Sequence, residues 1–402
     1  MIISGKRKLD ITIKAPPSKS VYHRELMIRF LAGDRNNLQD LPDDSDDIKA
    51  TRACLRGMAG AKAGDVVTLP CKESGSTLRF MIPVASAFLL KNGAPIASKI
   101  IFKTEGRLFD RPLNELSEAM KKGGISIVKN EADRTIEVTG SMRPGSYEID
   151  GSVSSQYISG LLMALTYFAS SSCIKVTGEM KSVHYIELTT DALLKYGSPV
   201  KTDRSTFYPC TRGYPKYIPE DFEVEGDWSN GAFLLCLKEW SDIKVTNLDP
   251  DSRQGDRAIV DFLEFVRSHD DSLSDLKWDC TDTPDIAPYM AVMAPFFFGK
   301  LTLTGTGRLR IKESDRVRAV REQLSAIGVR TEETEDTITI YRYEKAPLKE
   351  PLALSSYHDH RMAMCAILIA VILKAEVDID DLDCLNKSFP AFREITEREL
   401  MP

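Results

Sequence analysis

The sequence predicts an α/β fold of the repeated α+β kind, in which one structural unit recurs six times. Three observations predict it. Two kinds of helical stretch alternate along the chain, and short β-like runs separate them. Divided by six, 402 residues give about 67 per unit, longer than most solenoid repeats.

The first kind of stretch is apolar on nearly every side, as a helix buried in a core must be. Its members are SKSVYHRELMIRFLAG from Ser18, SGSTLRFMIPVASAFLL from Ser74, SSQYISGLLMALTYFA from Ser154, DWSNGAFLLCL from Asp227, DIAPYMAVMAPFFF from Asp285 and HDHRMAMCAILIAVI from His358. The second kind is amphipathic and begins at residues 47, 110, 184, 256 and 315, with SFPAFREITEREL (388–400) as an irregular sixth. In the stretch from Asp315, Val317, Val320, Leu324 and Ile327 keep helical spacing. Four of these stretches run to Gly60, Gly123, Gly197 and Gly328, where a helix C-cap is expected. The β-like runs are KIIFKTE (99–105), CIKVTGE (173–179), DIKVTNL (242–248), LTLTGTG (301–307) and EVDIDDL (376–382). TIEVTG (135–140) and TITIYRY (337–343) follow amphipathic helices. Each unit therefore reads strand, core helix, strand, outer helix, strands.

Bulk properties narrow the function. A net charge of −6 argues against a general nucleic-acid binder, which needs a dominant basic face. MIISGKRKLD has no apolar segment of the signal-peptide type. The run AMCAILIAVIL (363–373) is about half of the ~20 residues that span a bilayer, so no membrane association is expected. Eight cysteines without a C-x-x-C pair fit reduced thiols and a cytoplasmic location.

The core helices open on small polar or charged residues. Singly, such residues are ordinary N-caps. Helix N-termini are also anion sites, because their first N–H groups are unpaired and the dipole end is positive. Lys19, Arg24, Arg79, Arg111, Arg316 and Arg361 fall at or near helix starts. Their recurrence points to a shared place for phosphate or carboxylate groups. The densest case is RLRIKESDRVR (308–318), where five cations surround Glu313 and Asp315.

These residues carry a resemblance. PPSKSVYHRELMIRFLAG, SDDIKATRACLRGM, ESGSTLRF, DRPLNEL, GSVSSQYISGLLMAL, VEGDWSNGAFLL, QGD, LRIKESDR, YHDHRMAM and NKSFPAF occur in this order between residues 16 and 392. As an ordered set, the chain resembles the 5-enolpyruvylshikimate-3-phosphate synthases (3-phosphoshikimate 1-carboxyvinyltransferases) of the enolpyruvyl transferase family. The resemblance implies a two-domain inside-out α/β barrel with three βαβαββ units per domain. Domain I would hold residues 1–17 and 226–402, domain II residues 18–225, with the active site in the cleft between them. It also implies transfer of the carboxyvinyl group of phosphoenolpyruvate to the 5-hydroxyl of shikimate-3-phosphate. That reaction belongs to the shikimate pathway of aromatic amino-acid biosynthesis and needs no cofactor and no metal. The partners implied are these two small molecules, with no nucleic acid and a monomeric protein.

Carried over residue by residue, the resemblance assigns Lys19, Ser20, Arg24, Ser154, Ser155, Gln156, Ser182, Asp285 and Lys312 to shikimate-3-phosphate. It assigns Lys19, Gly75, Arg111, Gln156, Arg316, Arg361 and Lys387 to phosphoenolpyruvate. Asp285 would accept the hydroxyl proton, and Glu313 would shuttle a proton to carbon, with Lys19 and Lys387 beside them. Asp285 could equally serve as a helix cap. In HDH (358–360), residues two apart on a helix do not share a face, so a metal site is not expected. The chain departs from the family pattern at Glu73, in place of Asn, at Ser76 within SGST, and at Arg308. The alternatives are the sister carboxyvinyltransferase acting on UDP-N-acetylglucosamine and a catalytically silent anion-binding homologue. The first usually carries a Cys in the loop before its RP motif, which reads EGRLFDRP here. The apparent retention of Lys19, Asp285 and Glu313 together speaks against the second.

Overall fold

The computed structural model describes residues 1–210, 218, 223–268, 275–345 and 347–401. The chain divides into two compact units, one of Met1–Ser18 with Glu225–Pro402 and the other of Lys19–Val224. Ser18 and Glu225 therefore group with the first unit, although the sequence expectation put them in the second. Each unit has its own hydrophobic core.

The first unit opens with β1 (Ile2–Ser4) and β2 (Thr12–Lys14). The second unit contains α1 (Lys19–Leu31), α2 (Asp46–Ala59), β3 (Asp65–Lys72), α3 (Gly75–Leu89), β4 (Ala97–Thr104), α4 (Asn114–Lys122), β5 (Ile125–Asn130) and β6 (Thr135–Gly140). It continues through β7 (Ser146–Asp150), α5 (Ser155–Leu165), β8 (Cys173–Thr177), α6 (Val183–Lys195), β9 (Val200–Asp203) and β10 (Thr206–Pro209). The chain then re-enters the first unit with α7 (Trp228–Lys238), β11 (Lys244–Thr246), α8 (Ile259–Ser268), β12 (Leu276–Asp279), α9 (Ala287–Phe297), β13 (Lys300–Thr304) and α10 (Arg316–Ala326). It ends through β14 (Thr331–Glu333), β15 (Thr337–Tyr341), β16 (Leu352–Leu354), α11 (His360–Leu373), β17 (Glu376–Ile379) and α12 (Pro390–Leu400).

The helices pair as core and outer six times among the described residues. Every residue of α11 from His360 to Val371 is buried, and α9 is buried from Ala287 to Pro295. Outer helices bury one stripe. In α8 it is Ile259, Phe262, Leu263 and Val266, and in α4 it is Leu116, Ala119 and Met120. Three sheets share one strand order: β3-β4-β6-β5, β7-β8-β10-β9 and β12-β13-β15-β14. In each, the first two strands are parallel and the hairpin that follows packs antiparallel. These are complete βαβαββ units. The strand complement of the other helix pairs is smaller. The N-terminal β1 completes a three-stranded sheet with β17 and β16, and β2 pairs with β11. That pairing explains why the first 18 residues belong with the C-terminal half.

Local signals set the helix ends. Ser74, Ser154 and Asp227 cap α3, α5 and α7, each accepting a backbone N–H. Gly197 and Gly328 turn left-handed after α6 and α10 (φ +74° and +83°), but Gly60 and Gly123 keep φ of −84°. Among the described residues no helix is long and apolar enough to cross a membrane.

The inside-out layout demands close helix contact, and Gly160 of α5 provides it. A Cβ there would lie 2.8 Å from both the Arg79 carbonyl and Pro83 Cγ on α3. Gly160→Leu is expected to lower the melting temperature, with overpacking costing about 1–3 kcal/mol. An unchanged melting curve would show that α3 and α5 can separate freely.

Candidate active site

In the first unit, a short 3-10 turn (Gly307–Ile311) leads into Lys312, Glu313 and the cap of α10. Asp315 is that cap, accepting the Arg318 N–H at 3.1 Å. The five cations of this stretch then separate by environment. Arg318 pairs with Glu322, and Arg310 donates to the Thr334 carbonyl. Arg316, the first residue of α10, is 1% exposed and meets three carboxylates. Its Nε and one terminal nitrogen hold Asp359 at 2.8 and 3.2 Å. The same terminal nitrogen reaches Glu313 at 3.0 Å, and the other reaches Asp285 at 2.8 Å. Lys312 Nζ also donates to Asp285 at 3.1 Å, and Lys387 Nζ lies 3.7 Å from Glu313.

Asp285 is not a helix cap. α9 begins at Ala287, the cap position falls on Ile286, and the Asp285 carboxylate turns to the cations instead. Burial alone would raise its pKa, but Lys312, Arg316 and Arg361 outweigh burial and hold it well below the carboxylate range. Lys312 is lowered, by burial first, with Asp285 opposing and Arg316 adding repulsion. Arg316 is raised well above its usual value. Burial opposes that rise, and the charges of Asp359, Glu313 and Asp285 overcome it.

Arg361, in the first turn of α11, donates at 2.8 Å both to the Ser229 carbonyl and to the Tyr289 hydroxyl. Its Nε is buried with no hydrogen-bond partner among the described residues. Asp359 caps the same helix through the Arg361 N–H and also accepts the Ser314 hydroxyl at 2.9 Å. One carboxylate thus fixes two helix starts that each carry an arginine. The flanking histidines lie in different surroundings: His358 is exposed and pairs with Asp381 at 2.8 Å, whereas His360 is buried. Among the described residues no group of three or more His, Cys, Asp or Glu is placed to hold a metal ion.

In the second unit, Lys19 opens α1 beside Ser20, and its Nζ meets Asp47 at 2.7 Å. Ser74 caps α3 directly before Gly75. A Cβ on Gly75 would sit 2.5 Å from the Arg111 guanidinium, so the absent side chain makes room for that cation. Lys129 supports the Arg111 turn through the Phe109 and Arg111 carbonyls. Glu73 packs over the backbone of Gly106, where a Cβ would collide with its carboxylate. Gln156, in the first turn of α5, is clamped at both ends. It accepts from Arg79 and donates to Ser76, each at 2.8 Å. Ser154 caps that helix and Ser155 is buried. Ser182 adopts left-handed φ, +53°, at the start of α6, and such strain in a non-glycine residue tends to gather at functional sites.

The structure thus gathers Asp285, Lys312, Glu313, Arg316 and Lys387 into one network, with Arg361 joined to it through Asp359. It sets Gly75 against Arg111 and positions Gln156. Arg24 is different. It is 1% exposed, and its guanidinium donates to Thr189, Ser159 and the carbonyls of Ser20 and Tyr185. Sequence reasoning missed Asp359, weighed only as a possible metal ligand, together with Asp47 and Asp256. The last two lie in the quoted segments SDDIKATR and QGD, but only their partners in space show their surroundings.

This repeated α/β frame has the fold of an enolpyruvyl transferase. It is shared with the EPSP synthase of Acinetobacter baumannii (TM-score 0.69, 19% identity, covering 99% of this chain and 98% of that one). It is also shared with the enolpyruvyl transferase NikO of Streptomyces tendae (TM-score 0.65, 13% identity, 100% and 99%). In sequence, the chain is 32% identical to the 3-phosphoshikimate 1-carboxyvinyltransferase of Clostridium kluyveri and 31% identical to that of Clostridioides difficile. Each match covers 96% of this chain and 94% of the relative. The family model for EPSP synthase (3-phosphoshikimate 1-carboxyvinyltransferase) matches residues 3–396. The chain belongs to the EPSP synthase family.

Asp256 offers a test of these electrostatics. It is 2% exposed, accepts the Ser229 hydroxyl, and is pushed up to about 6 by burial and by the charge of Asp285. Between an ordinary aspartate value of 3.8 and about 6, the folded chain binds more protons than the unfolded one. This group's contribution to stability therefore falls as pH rises through that window. Asp256→Asn is expected to raise the melting temperature at pH 7.5 by roughly 3–8 °C, with the gain fading toward pH 4. A gain equal at both pH values, or none, would contradict an ionised carboxylate buried at a cost.

Proposed function

We propose that this chain transfers the carboxyvinyl group of phosphoenolpyruvate to the 5-hydroxyl of shikimate-3-phosphate and releases phosphate. The observation that carries the chemistry is the Arg316 guanidinium shared by Asp285, Glu313 and Asp359, with Lys312 on the same Asp285 oxygen. Family membership supports the choice of substrates.

The two substrates bring two phosphates and two carboxylates, which repel one another unless fixed cations offset them. In our reading Lys312, Arg316, Arg361, Lys387, Lys19 and Arg111 supply those charges. The Nε–H of buried Arg361, which has no hydrogen-bond partner among the described residues, is a donor that an anion would satisfy.

Lys312 and Arg316 hold Asp285 as a weak base. When they turn toward substrate anions, the carboxylate loses part of that hold and its proton affinity rises. Asp285 then takes the 5-hydroxyl proton as oxygen bonds to C2 of phosphoenolpyruvate, while Glu313 first takes a proton from the neighbouring Lys387 ammonium, 3.7 Å away, and delivers it to C3. Loss of phosphate from C2 and return of a C3 proton to a base restore the double bond. Atoms and charge balance without an external oxidant or reductant. The cytoplasm suits this reading, since all eight cysteines are free thiols.

Purified protein given both substrates is expected to release phosphate, and Asp285→Asn to lower kcat by ~10²–10⁴-fold, the usual worth of a positioned acid or base. Release with UDP-N-acetylglucosamine but not with shikimate-3-phosphate would overturn the substrate assignment. Release with neither would favour a silent anion-binding protein.

A further inference from the structure

Lysine is a poor fixed charge. Its four-carbon stem carries about 2 kcal/mol of rotamer entropy, and a cation meant to meet a reacting group must be held before the substrate arrives. Lys19 is held. Its ammonium lies 2.7 Å from Asp47, with the lysine side chain 18% and the aspartate side chain 7% exposed. The pair is thus largely removed from water, yet the lysine head remains within reach of a solute.

Asp47 is itself fixed on three sides. It lies in the first turn of α2, capped by Ser45, where the helix dipole favours a negative charge. Its carbonyl accepts from Thr51 of its own helix and from Thr77 of α3. Thr77 in turn bonds at 2.7 Å to Ser74, the residue that caps α3 beside Gly75. Buried contacts therefore link the residue that holds the Lys19 ammonium to the turn that carries Gly75, through its side chain at 2.7 Å and through its carbonyl at 3.3–3.4 Å. The contacts extend to His23 of α1, whose Nδ1 meets the Thr51 hydroxyl at 2.7 Å. Burial lowers that imidazole to about 3, so it contributes no charge near neutrality.

We propose that Asp47 is a positioning residue. It holds the Lys19 ammonium at a set distance from the Gly75 turn, so that Lys19 meets anionic substrate without a search through rotamers. Asp47 touches no substrate and acts through Lys19. This rests on the carboxyvinyl-transfer reading, in which Lys19 binds both substrates.

The test compares wild type, Asp47→Asn, Asp47→Glu, Lys19→Met and the double variant Lys19→Met/Asp47→Asn, measuring phosphate release and melting temperature for each. Asp47→Asn is expected to lower kcat at least tenfold. Asp47→Glu, which restores the charge one methylene further out, should recover at least a third of that loss on a logarithmic scale. The double variant should equal Lys19→Met within a factor of two, because a residue acting through lysine has nothing to add once the lysine is gone. Should Asp47→Asn fail to fold, Asp47→Ser replaces it with the same expectations. Wild-type kinetics in Asp47→Asn, or a loss in the double variant equal to the product of the single losses, would overturn the proposal. So would a charge-restoring variant as impaired as the neutral one. An inactive wild type would instead overturn the functional reading, and so the two failures are distinguishable.

Discussion

The site of the first unit depends on one guanidinium. Arg316 is almost fully buried and bridges Asp285, Glu313 and Asp359, which come from the loop before α9, the turn before α10 and the cap of α11. Burying that many charges is tolerable only because each one has a partner. Arginine suits the position because its planar fork presents several donors in fixed directions. The three chain segments are held in mutual register by this group, which also keeps the prospective base ionised until an anion competes for the cation.

The repeat explains why such a site can form. Most core helices are apolar along their length and must be buried, α1 with its buried Arg24, Glu25 and Arg29 being the exception, so polar groups gather at the N-terminal end, where unpaired N–H groups need acceptors. Ser74, Ser154, Asp227 and Asp359 meet that need through their own side chains. Cations placed within a turn of a cap, Arg361 after Asp359 on the core helix α11 and Arg316 after Asp315 on the outer helix α10, then sit where dipole and side chain both favour anions. The second unit uses the same device with different parts. Gly75 gives up a side chain so that Arg111 can approach, and Gln156 is oriented by Ser76 and Arg79.

Much of the frame was legible because its signals are local. Apolar helices, amphipathic helices and caps are written in runs of a few residues, and α10 and β6 lie where spacing and alternation put them. Other strands were harder. β3 contains Pro70 and β12 is four residues long, so neither showed a clear period-two run. The smaller sheets depend on pairing across nearly the whole chain, as between Ile3 and Val377, which no window can reveal. At the site, Lys19, Arg111, Arg316 and Arg361 stand out by their position at helix starts, whereas Lys312 and Lys387 rest on the resemblance. Two of the carboxylates that pair with these cations were missed, because Asp359 lies 43 residues from Arg316 and Asp47 lies 28 from Lys19. The cap reading of Asp285 failed for the same reason. A carboxylate before a helix looks the same in sequence whether it serves that helix or two distant cations.

Arg316→Lys tests the central claim most directly, since it keeps the charge but removes the fork. Phosphate release from both substrates, measured beside the melting temperature of the same sample, gives the answer. A lysine has three donors on one nitrogen and cannot make the four bonds that the fork directs to three carboxylates, so the account predicts a fall in kcat of at least ~10²-fold together with a lower melting temperature. Activity and stability within twofold and a degree or so of wild type would show that charge alone suffices, and that the shared guanidinium is not what organises the site.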